Sequence, residues 1–583
     1  MSERGSPVPT GRKGNVRFGA FELDEDAGEL RREGIKVRLQ EQPLQILQIL
    51  LEQPGKVITR EELRKRIWPS DTFVDFDHGI NNAIKRLREA LADTAETPRY
   101  IETLPRRGYR FIAGTDVPVQ AAAGRIQSLA VLPLENLARD PEQEYFADGL
   151  TEALITSLAK ISALSVVSRT TAMHYKGAHR PLPEIARELQ VDGIVEGTVV
   201  RSGERVRISA QLIEARTDRH LWAESYDRDL RDVLTLQTEV ARAVAKEIQV
   251  KLTPREQEQL ARTRPVDPDA YEAYLKGRYY WNKRTAEGFR RGAEYFERAI
   301  EKDPSYAAAY AGLSDCACSA GFWGLASPSE GCGRAKVAAR KSLEIDETAE
   351  GHTSLAIAIL HYDFDLLGAE REFLRALELN PRHAMAYQWY AHCLSYPGGL
   401  DNGLEKVTTA VKLDPLSINI NTTYAGVLWF KRQWERAIEH CRKILELDQN
   451  FATMRWMLAN LYQASGSLEE AIGERLRDVE LSGGAPLFVA GLGDSYAAAG
   501  KRDEALRIIE ELHQLSKHRY VMAYWMALIY AGLKENDTAF RWLETAREER
   551  SPMLTFVKMD PRVDNLRSDP RFDDLMRRMK LSA

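Results

Sequence analysis

Apolar residues in the C-terminal half of the chain fall on a fixed repeat. The segments LELNP, VKLDP and LELDQ share a helix-ending pattern, with Asp346, Asn380, Asp414 and Asp448 each 34 residues after the last. The same step reaches Ser482, Ser516 and Arg550. An earlier copy ends at Asp303, one repeat plus nine residues before Asp346, and the Gly/Ser/Pro-containing stretch 323–333 supplies the surplus. Gly292, Ala335, Ala369, Gly403, Ala437, Ala471, Ala505 and Ala539 occupy one phase, where small residues let two antiparallel helices approach closely. Leu458, Tyr462, Leu492, Tyr496, Met526 and Tyr530 fill neighbouring core phases, and Gly466 and Gly500 stand at turns where positive φ is easily reached. The pattern predicts about eight helical hairpins over 267–553, followed by a polar-faced capping helix at 554–583.

A 34-residue period with these small positions resembles the tetratricopeptide repeat. That resemblance implies a solenoid that binds partners, its first helices lining a concave groove. The groove face then includes His361, Gln388, His392, Asn419, Thr422, Trp456, Asn460 and Asp494, although solvated helix faces would carry the same residue types. An unidentified protein partner is the expected occupant.

Residues 16–113 have a different texture. Short alternating runs at 16–23 and 37–39 predict a small antiparallel sheet. Pro43 opens an apolar-periodic helix, LQILQILLEQ, which ends before Pro54-Gly55. Thr59 and Glu62 form a capping box for a second helix, TREELRKRIW. Asp77 is placed to cap a third, HGINNAIKRLREAL, in which Ile80, Ile84, Leu87 and Leu91 make an inward stripe. Its opposite side presents Asn82, Lys85, Arg86 and Glu89. Two strands, RYIETL and GYRFIA, then flank a basic tip, Pro105-Arg106-Arg107. An exposed helix bearing Asn and Arg beside a basic hairpin suits major-groove reading of double-stranded DNA.

The sequence INNAIKRLREAL…PRYIETLPRRGYRF resembles the OmpR/PhoB-type winged-helix output domain, especially its N-terminally placed CadC and ToxR relatives. The resemblance implies base-edge contacts from Asn82, Ala83 and Arg86, and backbone contacts from Lys85, Arg88, Arg106 and Arg107. Ala83 departs from relatives that carry a polar residue there. A homodimer on DNA is left open. No receiver domain is expected before this module and no membrane helix after it, so the input is expected through the C-terminal domains.

Residues 114–124 read as a linker. From 125 to 254, SLAVLPL, LSVVS, VDGIVEGTVV and VRISAQLIEA alternate as strands, and EIARELQ and LQTEVARAVAKEIQVKL read as helices. The strings EYFADGLTEALITSLAKI and VSRTTAMHYKG resemble the TolB amino-terminal-like (FlgO-related) domain. Glu152, Asp192 and Asp227 are not spaced as an acid–base couple, and no phosphate-binding glycine loop occurs, so no enzyme is expected.

Composition sharpens this reading. A net charge of −5 confines any nucleic-acid contact to a local basic patch. Five cysteines in 583 residues argue against a disulfide framework and suit a reducing cytoplasm. Cys316, Cys318 and Cys332 lie close in sequence without completing a zinc pattern, and no metal or cofactor is expected. The N-terminus lacks the apolar run of a signal peptide, and the stretch 520–533 is too short to span a bilayer, so no membrane anchor is expected. The fold class expected is multidomain α+β: winged helix-turn-helix, central α/β domain and all-α solenoid. The function expected is a sequence-specific DNA-binding transcription regulator, the alternative being an interaction scaffold whose winged helix no longer binds DNA.

Overall fold

The computed structural model describes residues 15–24, 28–32, 35–52, 55–67, 76–95, 98–104, 107–112, 115–116, 126–138, 140, 143–178, 180–250, 252–253, 256–257, 266–396 and 398–579. The chain divides into two units, Met1–Arg125 and Ile126–Ala583, each described by itself.

In the first unit, β1 (Asn15–Phe18), β2 (Phe21–Asp24), β3 (Glu29–Arg32) and β4 (Ile35–Val37) form an antiparallel meander. A later strand, β8 (Thr115–Asp116), pairs with β1, so two residues of the stretch read as linker extend the sheet on the backbone of Arg17 and Phe18. Three helices follow the meander: α1 (Glu41–Glu52), α2 (Arg60–Ile67) and α3 (Phe76–Leu91). Pro43 lies inside the first turn of α1 rather than before it, where its missing N–H costs no helix bond. The capping box forms: the Thr59 N–H donates to Glu62 Oε2 at 2.8 Å, and the Glu62 N–H donates to Thr59 Oγ1 at 3.2 Å. Asp77 lies within α3, which begins one residue before it. Strands β5 (Val57–Thr59), β6 (Ile101–Leu104) and β7 (Gly108–Phe111) close the unit as a second sheet, in the order β5-β7-β6. Ile80, Ile84, Leu87 and Leu91 are all buried against Leu47, Leu50, Leu63 and Phe111.

The second unit begins with a mixed sheet in the order β11-β9-β12-β13-β14, with β10 beside β12. Its strands are β9 (Ser128–Val131), β10 (Glu135–Asn136), β11 (Ser165–Val166), β12 (Gly193–Ser202), β13 (Arg205–Glu214) and β14 (Arg219–Asp229). Helices α4 (Glu144–Ala159), α5 (Arg169–Met173), α6 (Leu182–Leu189) and α7 (Val233–Glu247) complete this domain. The sequence pattern did not reveal β14. Its residues are rich in charge and none is buried, so no apolar alternation marks it; its ladder with β13 defines it instead.

Among the described residues, eight antiparallel helix pairs follow. The first helices are Pro268–Asn282, Ala307–Phe322, Ala349–Ala358, Ala384–Ser395, Ile418–Phe430, Ala452–Ser465, Pro486–Ala498 and Ala523–Gly532. Their partners are Ala286–Lys302, Arg334–Ile345, Leu366–Leu379, Leu400–Leu413, Trp434–Leu445, Leu468–Leu481, Arg502–Leu515 and Asn536–Glu548. The surplus residues of the second pair form a loop and a short turn, Ser329–Gly333, between its helices. Every residue of the small phase is buried, and a Cβ on Gly403 would lie 2.9 Å from the Ala391 carbonyl oxygen. The turns between helices place Phe364, Gly398, Arg432, Gly466, Gly500 and Lys534, each 34 residues apart, in the left-handed region.

The segment after the eighth pair is not one helix. Two 3-10 turns, Pro552–Phe556 and Pro561–Leu566, precede a helix at Pro570–Arg578. The prolines at each start fit only a first helical turn, which divides the segment. Phe556 stacks on Phe430 and packs edge-on against Phe322 and His392, so the C-terminal turns fill part of the concave side of the array. No helix among the described residues is long and apolar enough to cross a membrane.

Candidate nucleic-acid interface and repeat groove

The exposed face of α3 is set by its buried one. With Ile84 and Leu87 turned inward, Asn82, Lys85 and Arg86 fall outward and are exposed. Asn82 and Lys85 have no side-chain partner among the described residues; Arg86 reaches Gln40. Ala83 is 3% exposed and packs in the core beside Ile80 and Leu87, so it cannot meet a base edge. Arg88 is also placed differently from expectation. Its Nη2 donates to the Ile101 carbonyl at 2.7 Å and to Thr103 Oγ1 at 2.9 Å, tying α3 to β6 instead of offering a phosphate contact.

The hairpin is fixed to α3 at its base. Asp93, buried just after the helix, accepts the Arg99 N–H at 2.6 Å and the Ile101 N–H at 2.9 Å. Gly108, at φ +152°, opens β7, and a Cβ there would lie 2.0 Å from the Ile58 carbonyl oxygen. Arg107 is exposed at the tip; Arg106 lies outside the described residues. Sequence reasoning missed a polar relay on the α2 side: Asn81 Oδ1 accepts from Arg60 Nη2 and from the Tyr109 hydroxyl, both at 2.9 Å. The Arg60 guanidinium also lies over the Tyr109 ring. These three residues sit 21 and 28 positions apart, so only the fold brings them together.

The eight groove residues separate into two groups. Gln388, His392, Asn419, Thr422 and Trp456 line a cavity of about 760 Å³ bounded by the middle domain, the first helices of the repeats and the C-terminal turns. His361, Asn460 and Asp494 do not line it. His361 is fully buried among Phe322, Trp389 and Phe556, its Nδ1 3.2 Å from Thr555 Oγ1. Burial and the neighbouring His392 hold its pKa down to about 3. Asn460 Oδ1 accepts from the Arg475 and Arg562 guanidinia, and Asp494 accepts from Gln463 and faces Arg562 at 3.7 Å. Burial pushes the Asp494 carboxyl up, against the pull of Arg562. Both are internal polar joints of the array, so neither can face a partner as the repeat phase had implied.

Glu152, Asp192 and Asp227 of the middle domain each have a structural occupation. Glu152 accepts from Arg278 and Asn282 of the first repeat helix. Asp192 Oδ2 accepts the Ser128 N–H at 3.0 Å and its hydroxyl at 2.7 Å, joining two strands. Asp227 pairs with Arg205 and Arg207 across the β13–β14 ladder. Among the described residues, no group of three or more His, Cys, Asp or Glu side chains could hold a metal ion.

Residues 34–111 match the family "Transcriptional regulatory protein, C terminal". The N-terminal unit carries an OmpR/PhoB-type winged helix. Residues 125–243 match "HilA/YgeH-like transcriptional regulator, second domain". A protein of Rhizobium meliloti (strain 1021) named putative adenylate cyclase 3 is 39% identical over 235 residues, covering 40% of this chain and 40% of its own length. The chain thus spans well under half of that relative. The transcriptional regulator HilA of Salmonella typhi is 24% identical over 437 residues, 74% of this chain and 76% of that one. Among solved structures, the RstA DNA-binding domain of Klebsiella pneumoniae in complex with the RstA box is 28% identical. That likeness covers 17% of this chain and 96% of the other, with a TM-score of 0.16.

Proposed function

We propose that the chain is a sequence-specific DNA-binding transcription regulator of the cytoplasm, and not an enzyme. Its winged helix reads duplex DNA, and its middle domain and repeats receive the signal. The observation that carries this reading is the exposed α3 face, with Asn82, Lys85 and Arg86 pointing away from the domain core. Asn and Arg at such positions can bond adenine and guanine edges bidentately, while Lys85 and Arg107 suit phosphates. The regulator families matched at 34–111 and 125–243 support the same assignment. The structural duties of Glu152, Asp192 and Asp227 leave none of them free as a general acid or base.

The test is selection of genomic duplex fragments by the full-length protein. A shared sequence should be enriched, and affinity should fall steeply between about 50 and 200 mM salt as bound cations are released. Absence of enrichment, or binding indifferent to salt, rejects the reading.

A further inference from the structure

The cavity described above has a chemical character of its own. At about 760 Å³ it falls in the size range of small-molecule sites. Its lining includes the rings of Trp281, Trp389, Trp429, Trp456 and Trp525. The indole N–H groups of Trp281, Trp429, Trp456 and Trp525 are buried without an acceptor. The cavity wall therefore combines aromatic ring faces with buried N–H donors that no protein acceptor takes. Exposed Lys283, Glu287 and Asn450 also line it, which marks where the cavity reaches solvent.

Its cations are unequally matched. Arg278 has Glu152 and Asp315 against it. Arg562 has Asp560 at 2.7 Å. Arg284 has no ion-pair partner among the described residues. Its guanidinium carbon lies 3.4 Å from the centre of the Trp281 ring. Burial, reinforced by the charge of Arg278, lowers its pKa to about 10. An arginine stacked on an indole and partly desolvated, with no carboxylate in ion-pair contact and Asp315 acting on it only at longer range, is a guanidinium prepared for an anion.

We propose that this cavity binds a small anionic ligand with a planar aromatic body, the anion on Arg284 and the rings against the tryptophans. Binding itself stands on the cavity alone; only its role as the regulator's input rests on the function proposed above. The guanidinium fork accepts a carboxylate or a phosphate equally well, and the aromatic wall makes the flat body the larger source of affinity. Thr156, Ser168 and Arg169 of the middle domain line the same cavity as the repeat helices.

The experiment is isothermal titration of the full-length protein, without DNA, with four probes: 2-naphthoate, uncharged 2-naphthamide, hexanoate and inorganic phosphate. Expected is binding of 2-naphthoate at least tenfold tighter than of the other three. Arg284→Gln should weaken 2-naphthoate at least tenfold while leaving 2-naphthamide unchanged, and Arg284→Lys should recover part of the loss. Arg284 donates no side-chain hydrogen bond within the described residues, so both variants should fold, with the unfolding temperature of Arg284→Gln lowered only by the loss of its stacking on Trp281. Equal binding of 2-naphthoate and 2-naphthamide, phosphate binding as tightly as 2-naphthoate, or an indifferent Arg284→Gln would each overturn the proposal. So would the absence of heat from 2-naphthoate at millimolar concentration. Failure of DNA selection with these titrations intact would reject the regulator and leave the ligand site standing.

Discussion

Arg278, on the first repeat helix, donates through Nε to the Glu152 carboxylate of the middle domain at 2.7 Å. Arg169 approaches the same carboxylate at 3.0 Å, and Asn282 donates to it at 3.1 Å. Burial alone would raise the Glu152 pKa, but Arg278 and Arg169 outweigh it and hold the carboxylate below its usual range. The pair is mostly shielded from water, with side chains 20% and 15% exposed. Replacing Glu152 by Gln takes from Arg169 its carboxylate and leaves Arg278 only the more distant Asp315, at 3.7 Å, at the joint between middle domain and repeats. The expected loss is about 3 kcal/mol of unfolding free energy, read by urea denaturation. A loss under about 1 kcal/mol would mean that the pair is screened like a surface one.

Two arginines two positions apart on α3 should behave oppositely. Arg88→Ala removes two bonds that hold β6 to the helix, so the winged helix should lose about 1–3 kcal/mol of stability. Arg86→Ala loses only an exposed bond to Gln40, so it should lower stability by less than about 0.5 kcal/mol while relaxing sequence preference by about 1–3 kcal/mol if its contact with a base is bidentate. Thermal unfolding and competition against random DNA separate the two. The same effect from both substitutions would show that the exposed face is misassigned.

The 34-residue period was legible because a helix hairpin needs a small residue at every close crossing, and that demand repeats. The winged helix was legible from a capping box and an inward stripe, both local. What escaped needed distant partners. Asn81, Arg60 and Tyr109 meet only through the fold. Arg88 could not be told from Arg86 by charge, since its strand partners lie thirteen and fifteen residues away. The groove assignment failed at His361, Asn460 and Asp494 because a solenoid's concave face is exposed only if nothing returns to fill it. Here Phe556 and Arg562 return, and nothing in the repeat phase foretells them.

The cysteines should be inert in the native state. All five are buried, and burial pushes the thiols of Cys393 and Cys441 up to about 12. The thiolate is the reacting species, so iodoacetamide at pH 8 should leave them unmodified until denaturant is added. Cys318 and Cys332 lie with sulfurs 3.8 Å apart, beyond the roughly 2.05 Å of a disulfide. Mass spectrometry counts the labels, and rapid native labelling at any of the five would contradict this packing.

Stability should carry a signature of His361, which is buried, and His392, which is half-buried. Burial, with His392 beside it, takes His361 to about 3, and burial takes His392 to about 4, from an ordinary 6.5. As pH falls below 6.5 the unfolded chain protonates first, so these groups cost nothing above that value. Their contribution then erodes stability down towards pH 4. Each can contribute at most about 1.4 kcal/mol per pH unit. Buried carboxyls with raised pKa values, Asp478 among them, act in the opposite sense, so the test is a difference. The urea midpoint of His392→Phe should fall less than that of the parent between pH 6.5 and 4.5. Parallel curves would mean that His392 is open to water.

The inter-helix turns offer a test of backbone chemistry with no contact to lose. Phe364, Gly398, Arg432, Gly466, Gly500 and Lys534 all take positive φ, between +57° and +113°, at the same repeat position. Glycine fits that region without a Cβ clash, whereas an L side chain costs about 1–2 kcal/mol there. Glycine returns part of this through the greater freedom of its unfolded chain. Lys534 is exposed, at φ +62°, and its side chain makes no bond among the described residues. Lys534→Gly should therefore raise the stability of the array by about 0.5–1 kcal/mol. The converse change, Gly500→Ala, meets no atom within 4 Å and should lower stability by about the same amount through backbone strain alone. Opposite signs for the two substitutions in urea denaturation are expected, and a destabilised Lys534→Gly protein would show that the turn is held by side-chain interactions instead.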